Sequence, residues 1–122
     1  MKIEVSIGEA LDKVSILTIK LNKIHDTEKL RNVAKELNVI TKELPRGILE
    51  DSLYQQLCSV NMRLWEIEDE IRECERSGDF NLNFIRLARA VYHRNDERAE
   101  IKKQINIKYK SELMEEKSYK AY

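Results

Sequence analysis

The stretch LYQQLCSVNMRLWEIEDEIREC, residues 53–74, decides the fold class. Leu53, Leu57, Val60, Leu64, Ile67, Ile71 and Cys74 recur in alternating steps of four and three, the spacing of one narrow apolar stripe on a helix, and nearly everything between them is polar or charged. The segment is therefore expected to bury one seam and wet its remaining surface, as coiled-coil helices do.

The same periodicity extends in both directions. Upstream, Ser6-Ile7-Gly8-Glu9 fits a capping box, in which the Ser6 hydroxyl accepts from the Glu9 amide and the Glu9 carboxylate returns to the Ser6 amide. A first helix over about 6–24 follows, with Ile7, Ala10, Val14, Leu17, Leu21 and Ile24 as its seam and Leu11, Ile16 and Ile19 widening the apolar surface toward a second neighbour. His25-Asp26-Thr27 breaks the pattern and supplies a cap for a second helix, about 27–44, carrying Leu30, Val33, Leu37, Ile40 and Leu44. Pro45-Arg46-Gly47 contains the only proline and marks the strongest turn. The third helix spans about 50–76, Gly78 offers a C-terminal cap, and a fourth helix runs over about 82–109 before a tail at 111–122.

These elements predict a single all-α domain over 1–122, an antiparallel helical bundle made of two helical hairpins, the second longer than the first. Only 3 glycines and 7% aromatics in a chain that is 36% charged agree with long amphipathic helices. From Glu50 to Arg76 there are eight acidic residues against three basic, and from Phe84 to Lys110 eight basic against three acidic, so the long helices are expected to pair antiparallel. A short hairpin cannot cover a long one, and the uncovered apolar length predicts a homodimer.

A balance of 22 basic and 22 acidic residues gives no overall field for nucleic acid, although Lys102, Lys103, Lys108 and Lys110 form a local basic end. Cys58 and Cys74 lie about 24 Å apart on one helix, too far to bridge each other. With no apolar run of about 18 residues, the expectation is a reduced, cytoplasmic chain without a membrane span.

Two constellations are candidates for chemistry. Glu66, Asp69, Glu70 and Glu73 share a helical face that Glu97 could approach from the next helix. Carboxylates facing one another across helices hold magnesium in all-α hydrolases, so Glu66, Asp69, Glu70 and Glu97 define an alternative reading with Mg as cofactor and a nucleotide or sugar phosphate as substrate. Solvated, ion-paired carboxylates are the simpler reading. The second constellation is Asn95-Asp96 with Arg94, Arg98 and Lys102, which interrupts the fourth helix's seam. It could fix register against the acidic helix opposite or hold a small anionic ligand. Lys13 and Lys20 flank the first helix's seam with Asp12 and Asn22, as a solvated face would. No glycine-rich phosphate loop, zinc motif or Ser-His-Asp ordering is present, and with no motif calling for a cofactor the reading leans away from an enzyme.

With these residues on view, the chain resembles a bacterial and phage family of short proteins known only as a domain of unknown function. The resemblance rests on Ser6-Ile7-Gly8-Glu9 with Asp12-Lys13 and Ile16-Leu17-Thr18-Ile19-Lys20, Leu64-Trp65-Glu66-Ile67-Glu68-Asp69 with Ile71-Arg72, Phe84 to Tyr92, Asn95-Asp96-Glu97-Arg98-Ala99 and Glu115 to Tyr119, and it covers nearly the whole chain. Ala10 and Ser15 depart from its pattern. The resemblance implies an accessory role beside surface-polysaccharide synthesis, or an auxiliary role in a phage, and draws attention to Lys13, Lys20, Asp69, Asn95, Asp96 and Arg98. The reading that results is a non-enzymatic helical interaction protein whose partner or anionic ligand meets Lys13, Lys20, Glu66, Asp69, Asn95, Asp96, Arg98 and Lys102.

Overall fold

Three of the four helices start where a short polar side chain takes up a free amide, and the fourth follows Asn81 without such a bond. The computed structural model describes residues 1–122: α1 is Ile7–Lys23, α2 Thr27–Thr41, α3 Ser52–Ser77 and α4 Leu82–Lys108. Ser6 accepts from the Glu9 amide, Asp26 from the Lys29 amide, and Asp51 from the Leu53 amide. Gly78 closes α3 in the left-handed region, at φ 69°, where a Cβ would be strained. After the Pro45 turn the chain makes a short 3-10 turn, Ile48–Glu50, which the periodicity did not indicate. Its Ile48 is buried against the core, and α3 starts at Ser52, with Asp51 rather than an earlier residue as its cap.

The long helices pair antiparallel. At one end the Asp51 carboxylate accepts from the Tyr109 hydroxyl at 2.6 Å and from Lys108 Nζ at 2.6 Å, and at the other Ile67, Cys74 and Leu87 form an apolar cluster. Apart from Lys108 with Asp51, the opposite charges of these two helices do not pair across the hairpin. Arg63 pairs with Glu66 and Glu70, Arg72 with Glu68, and Arg76 with Glu73, all within α3, while Arg94 pairs with Glu97 within α4. Neighbours one or two turns apart on one helix meet at no cost in helix placement, so local pairs win. Apolar packing holds the hairpin together.

α1 lies across that hairpin, close to α4 at its start and to α3 further on. Gly8 touches α4, Asp12 touches both long helices, and Ser15 touches α3. The main core, Leu11, Ile48, Leu57 and Ile105, forms under this crossing, with Ile7, Leu53, Tyr54 and Ile101 around it. Each such buried aliphatic side chain contributes about 1.5–3 kcal/mol. α2 packs on α1 alone and buries only Val33 among its own residues. The bundle is thus three helices deep at one half and two at the other, and beyond the crossing Phe80, Leu82 and Ile85 are half or more exposed. No helix is long and apolar enough to cross a membrane.

Candidate functional site

The polar centre of the molecule comes from three helical stripes. On α1, Gly8, Asp12 and Ser15 follow at steps of four and three. On α4, Asn95, Arg98, Lys102 and Asn106 do the same, and α3 supplies Asn61. Gly8 is required by the closeness of α1 to α4: a Cβ there would stand 2.7 Å from the Lys102 carbonyl oxygen. Backbones this close bring short side chains into register, and the Gly8 amide donates to Asn106 Oδ1 at 2.6 Å.

Asp12 is 1% exposed and fully engaged. Its Oδ1 accepts from Asn61 Nδ2 at 2.8 Å and from Arg98 Nε at 2.9 Å, and its Oδ2 accepts from Arg98 Nη2. The Ser15 hydroxyl donates to the Asp12 carbonyl at 2.7 Å and accepts from Asn61. Burying a carboxylate is tolerated only when such donors surround it. The fork of Arg98 supplies two of them, and Asp12 in turn raises the guanidinium pKa above its already high value.

Lys102, 7% exposed, is the second buried charge. Its ammonium reaches Glu9 at 2.7 Å and Glu115 of the tail at 2.7 Å, with Asp12 at 4.0 Å. Burial works against the charge, but the hydrogen bonds to Glu115 and Glu9 outweigh it and raise the pKa. The same contact with Lys102, followed by Lys117, pulls Glu115 down to about 2. Glu9 therefore does not complete the capping box; its carboxylate goes to Lys102 instead. The first free amides of α1 are nonetheless all satisfied, Ile7 by the Ser111 hydroxyl, Gly8 by Asn106 and Glu9 by Ser6, so this helix start offers nothing to an anion.

Outside this centre, α4 and the tail enclose an open groove of about 1640 Å³, lined among others by Glu9, Tyr92, Asn95, Arg98, Lys102 and Tyr122. Tyr122 closes it. Its hydroxyl donates to Asp96 at 2.5 Å and lies 3.1 Å from His93 Nδ1, and its ring meets Tyr92 edge-on at 5.2 Å. The bond to Asp96 pushes the phenol up to about 12, so Tyr122 keeps its proton.

Of the residues singled out in the sequence, Asn95, Asp96, Arg98 and Lys102 line this groove together. The others lie elsewhere. Lys13 faces α2 and pairs with Glu36 at 3.4 Å. Lys20 is on α1 and outside the groove, and Asp69 is exposed on α3. Glu66 borders a separate shallow pit with Cys58 and Met62. The carboxylates considered for magnesium do not converge: Glu66 and Glu70 share Arg63, Glu97 is on Arg94, and no three metal-ligating side chains meet anywhere. Arg98 and Lys102 find their acids on α1 and the tail rather than on α3, so they are not free for a small anion. Asp12, Asn61 and Ser15 are central here, yet the periodicity passed over them. The signal was Gly8, a poor helix former inside a helix and in line with Asp12 and Ser15.

A family model matches the chain from residue 1 to residue 122. The chain belongs to DUF6165, a family of unknown function. No curated protein and no solved structure matches it. In this DUF6165 chain a closed network of charge-assisted hydrogen bonds ties α1 to the long hairpin.

Proposed function

We propose that this DUF6165 chain is a non-enzymatic helical interaction protein whose contact surface is the outer side of α4, from the hairpin tip to the groove under the tail. One observation supports this most directly. The charges of the polar centre are used up on one another, whereas Leu82, Ile85 and Tyr92 stand exposed along α4 with Phe80 beside them. Apolar side chains grouped in this way on a chain with a separate core are what a partner covers. The accessory role beside surface-polysaccharide synthesis, or in a phage, and a cytoplasmic location belong to the same proposal.

The test is quantitative capture from a bacterial lysate on immobilised chain, wild type against Ile85→Asp. The reading expects the captured set to fall at least about fivefold while the melting temperature shifts by under about 2 °C, since an exposed site carries little stability. Unchanged capture by the variant would overturn it. Stabilisation by magnesium or manganese together with phosphate release from a sugar-phosphate or nucleotide panel would favour instead the hydrolase reading through Glu66, Asp69, Glu70 and Glu97.

A further inference from the structure

Residues 112–122 form no helix or strand and are exposed throughout, with Tyr119 81% and Tyr122 75% accessible. They are nevertheless placed by specific side-chain ties. Ser111 receives the Ile7 amide, Glu115 holds Lys102, and Tyr122 holds Asp96 against His93 and Tyr92. The ties of Glu115 and Tyr122 do not depend on which molecule the tail comes from, because no backbone hydrogen bond joins residues 112–122 to the body, and the one backbone bond of Ser111, to Asn106, belongs to the turn itself.

The turn that lays the tail back on its own α4 is made at Lys110, the only non-glycine residue with positive φ, at 54°. The Ser111 amide bonds to the Asn106 carbonyl at 2.8 Å and the Lys110 amide to Ile107, a reversal that usually has glycine in the left-handed position. If α4 instead continued through Lys110, that strain would vanish and the tail would project away from its own groove. A segment held by transferable contacts and connected through a strained hinge is the arrangement from which identical elements are exchanged between copies.

We propose that two copies of this chain dimerise by exchanging tails: residues 111–122 of one leave at Lys110 and lie on α4 of the other, with Glu115 on the second copy's Lys102 and Tyr122 on its Asp96. This deepens the interaction reading by naming a second copy as the occupant of the groove. The groove in each molecule is then completed by the other.

Zero-length carbodiimide coupling tests this in the full chain, because it joins an ammonium to a carboxylate only where the two already form an ion pair. Unlabelled and heavy-nitrogen chains are mixed in equal amounts, equilibrated and coupled, and the Lys102–Glu115 peptide is weighed by mass spectrometry. Exchange predicts mixed-label product, approaching about half of the total near 1 mM and falling toward none near 1 µM, as mass action requires. Lys110→Gly, which removes the strain of the reversed turn, should cut the mixed fraction severalfold. Same-label product alone at every concentration, or no Lys102–Glu115 product at all, overturns tail exchange. A dimer seen by sedimentation with only same-label product would also overturn it and move the contact to the uncovered hairpin tip. The capture experiment with Ile85→Asp reads the interaction proposal separately.

Discussion

Asp12 and Arg98 stand 86 residues apart in sequence and meet as a two-pronged ion pair, Arg98 Nε to Asp12 Oδ1 at 2.9 Å and Arg98 Nη2 to Asp12 Oδ2. The carboxylate is almost fully buried, while the guanidinium keeps 28% of its side-chain surface. The pair therefore lies at the rim of the helix crossing, with one member inside and the other facing the groove. Asn61 completes the contact from α3, so one carboxylate fixes three helices at once.

Gly8→Ala tests how tightly that crossing is packed. Alanine favours helix by up to about 1 kcal/mol, but its Cβ would sit 2.7 Å from a backbone oxygen that cannot swing away and 3.0 Å from Asn106 Oδ1. Overpacking of this kind costs about 1–3 kcal/mol, and loosening the Gly8–Asn106 bond adds about 1 kcal/mol. Urea denaturation should show a net loss of about 1–3 kcal/mol. A variant as stable as the wild type would mean that α1 is not pressed onto α4.

Tail attachment should depend on pH at both extremes. Glu115 has its folded pKa lowered from 4.5 to about 2, so its contribution is complete above about 4.5 and is lost as the pH falls toward 2. Lys102 has its folded pKa raised above 10.5, so its contribution is complete below 10.5 and is lost as the pH climbs past the raised value. Tail resonances, read by NMR, should keep one set of shifts between these limits and move to random-coil positions outside them. Random-coil shifts at neutral pH would show that the tail is not held.

The uncovered half of the hairpin should open before the covered half. Its cluster has three buried members, Ile67, Cys74 and Leu87, and no third helix over it. Native-state hydrogen exchange should give amides around Leu87 an opening free energy about 2–3 kcal/mol below that of amides around Leu57. Equal protection at low protein concentration would indicate one cooperative unit, contrary to the layered packing described above.

Much of the architecture was legible because helix ends and seams are local. Ser6, Asp26 and Gly78 cap where their side chains, or lack of one, allow, and the four helices begin and end within about three residues of the positions inferred from periodicity. The site was only half legible. Arg98, Lys102, Asn95 and Asp96 are visible as polar interruptions in α4, but their partners are not. Asp12 reads as a surface residue beside Lys13, since its burial depends on α1 crossing a hairpin that starts forty residues later. Helix charge pointed to the antiparallel pairing but not to its contacts: the acids of α3 suggest partners on α4, yet arginines on α3 itself take up Glu66, Glu68, Glu70 and Glu73. Glu115 lies in a segment with no periodicity at all, so nothing local ties it to Lys102.

A double-mutant cycle on Asp12→Ala and Arg98→Ala, followed by urea unfolding, tests most directly whether the polar centre is a structural clasp. Removing one partner leaves a buried carboxylate or its vacated donors, so the account predicts single-variant losses of about 3 kcal/mol and a coupling energy of at least about 2 kcal/mol. A coupling within about 0.5 kcal/mol of zero, with both single variants near wild-type stability, would contradict it.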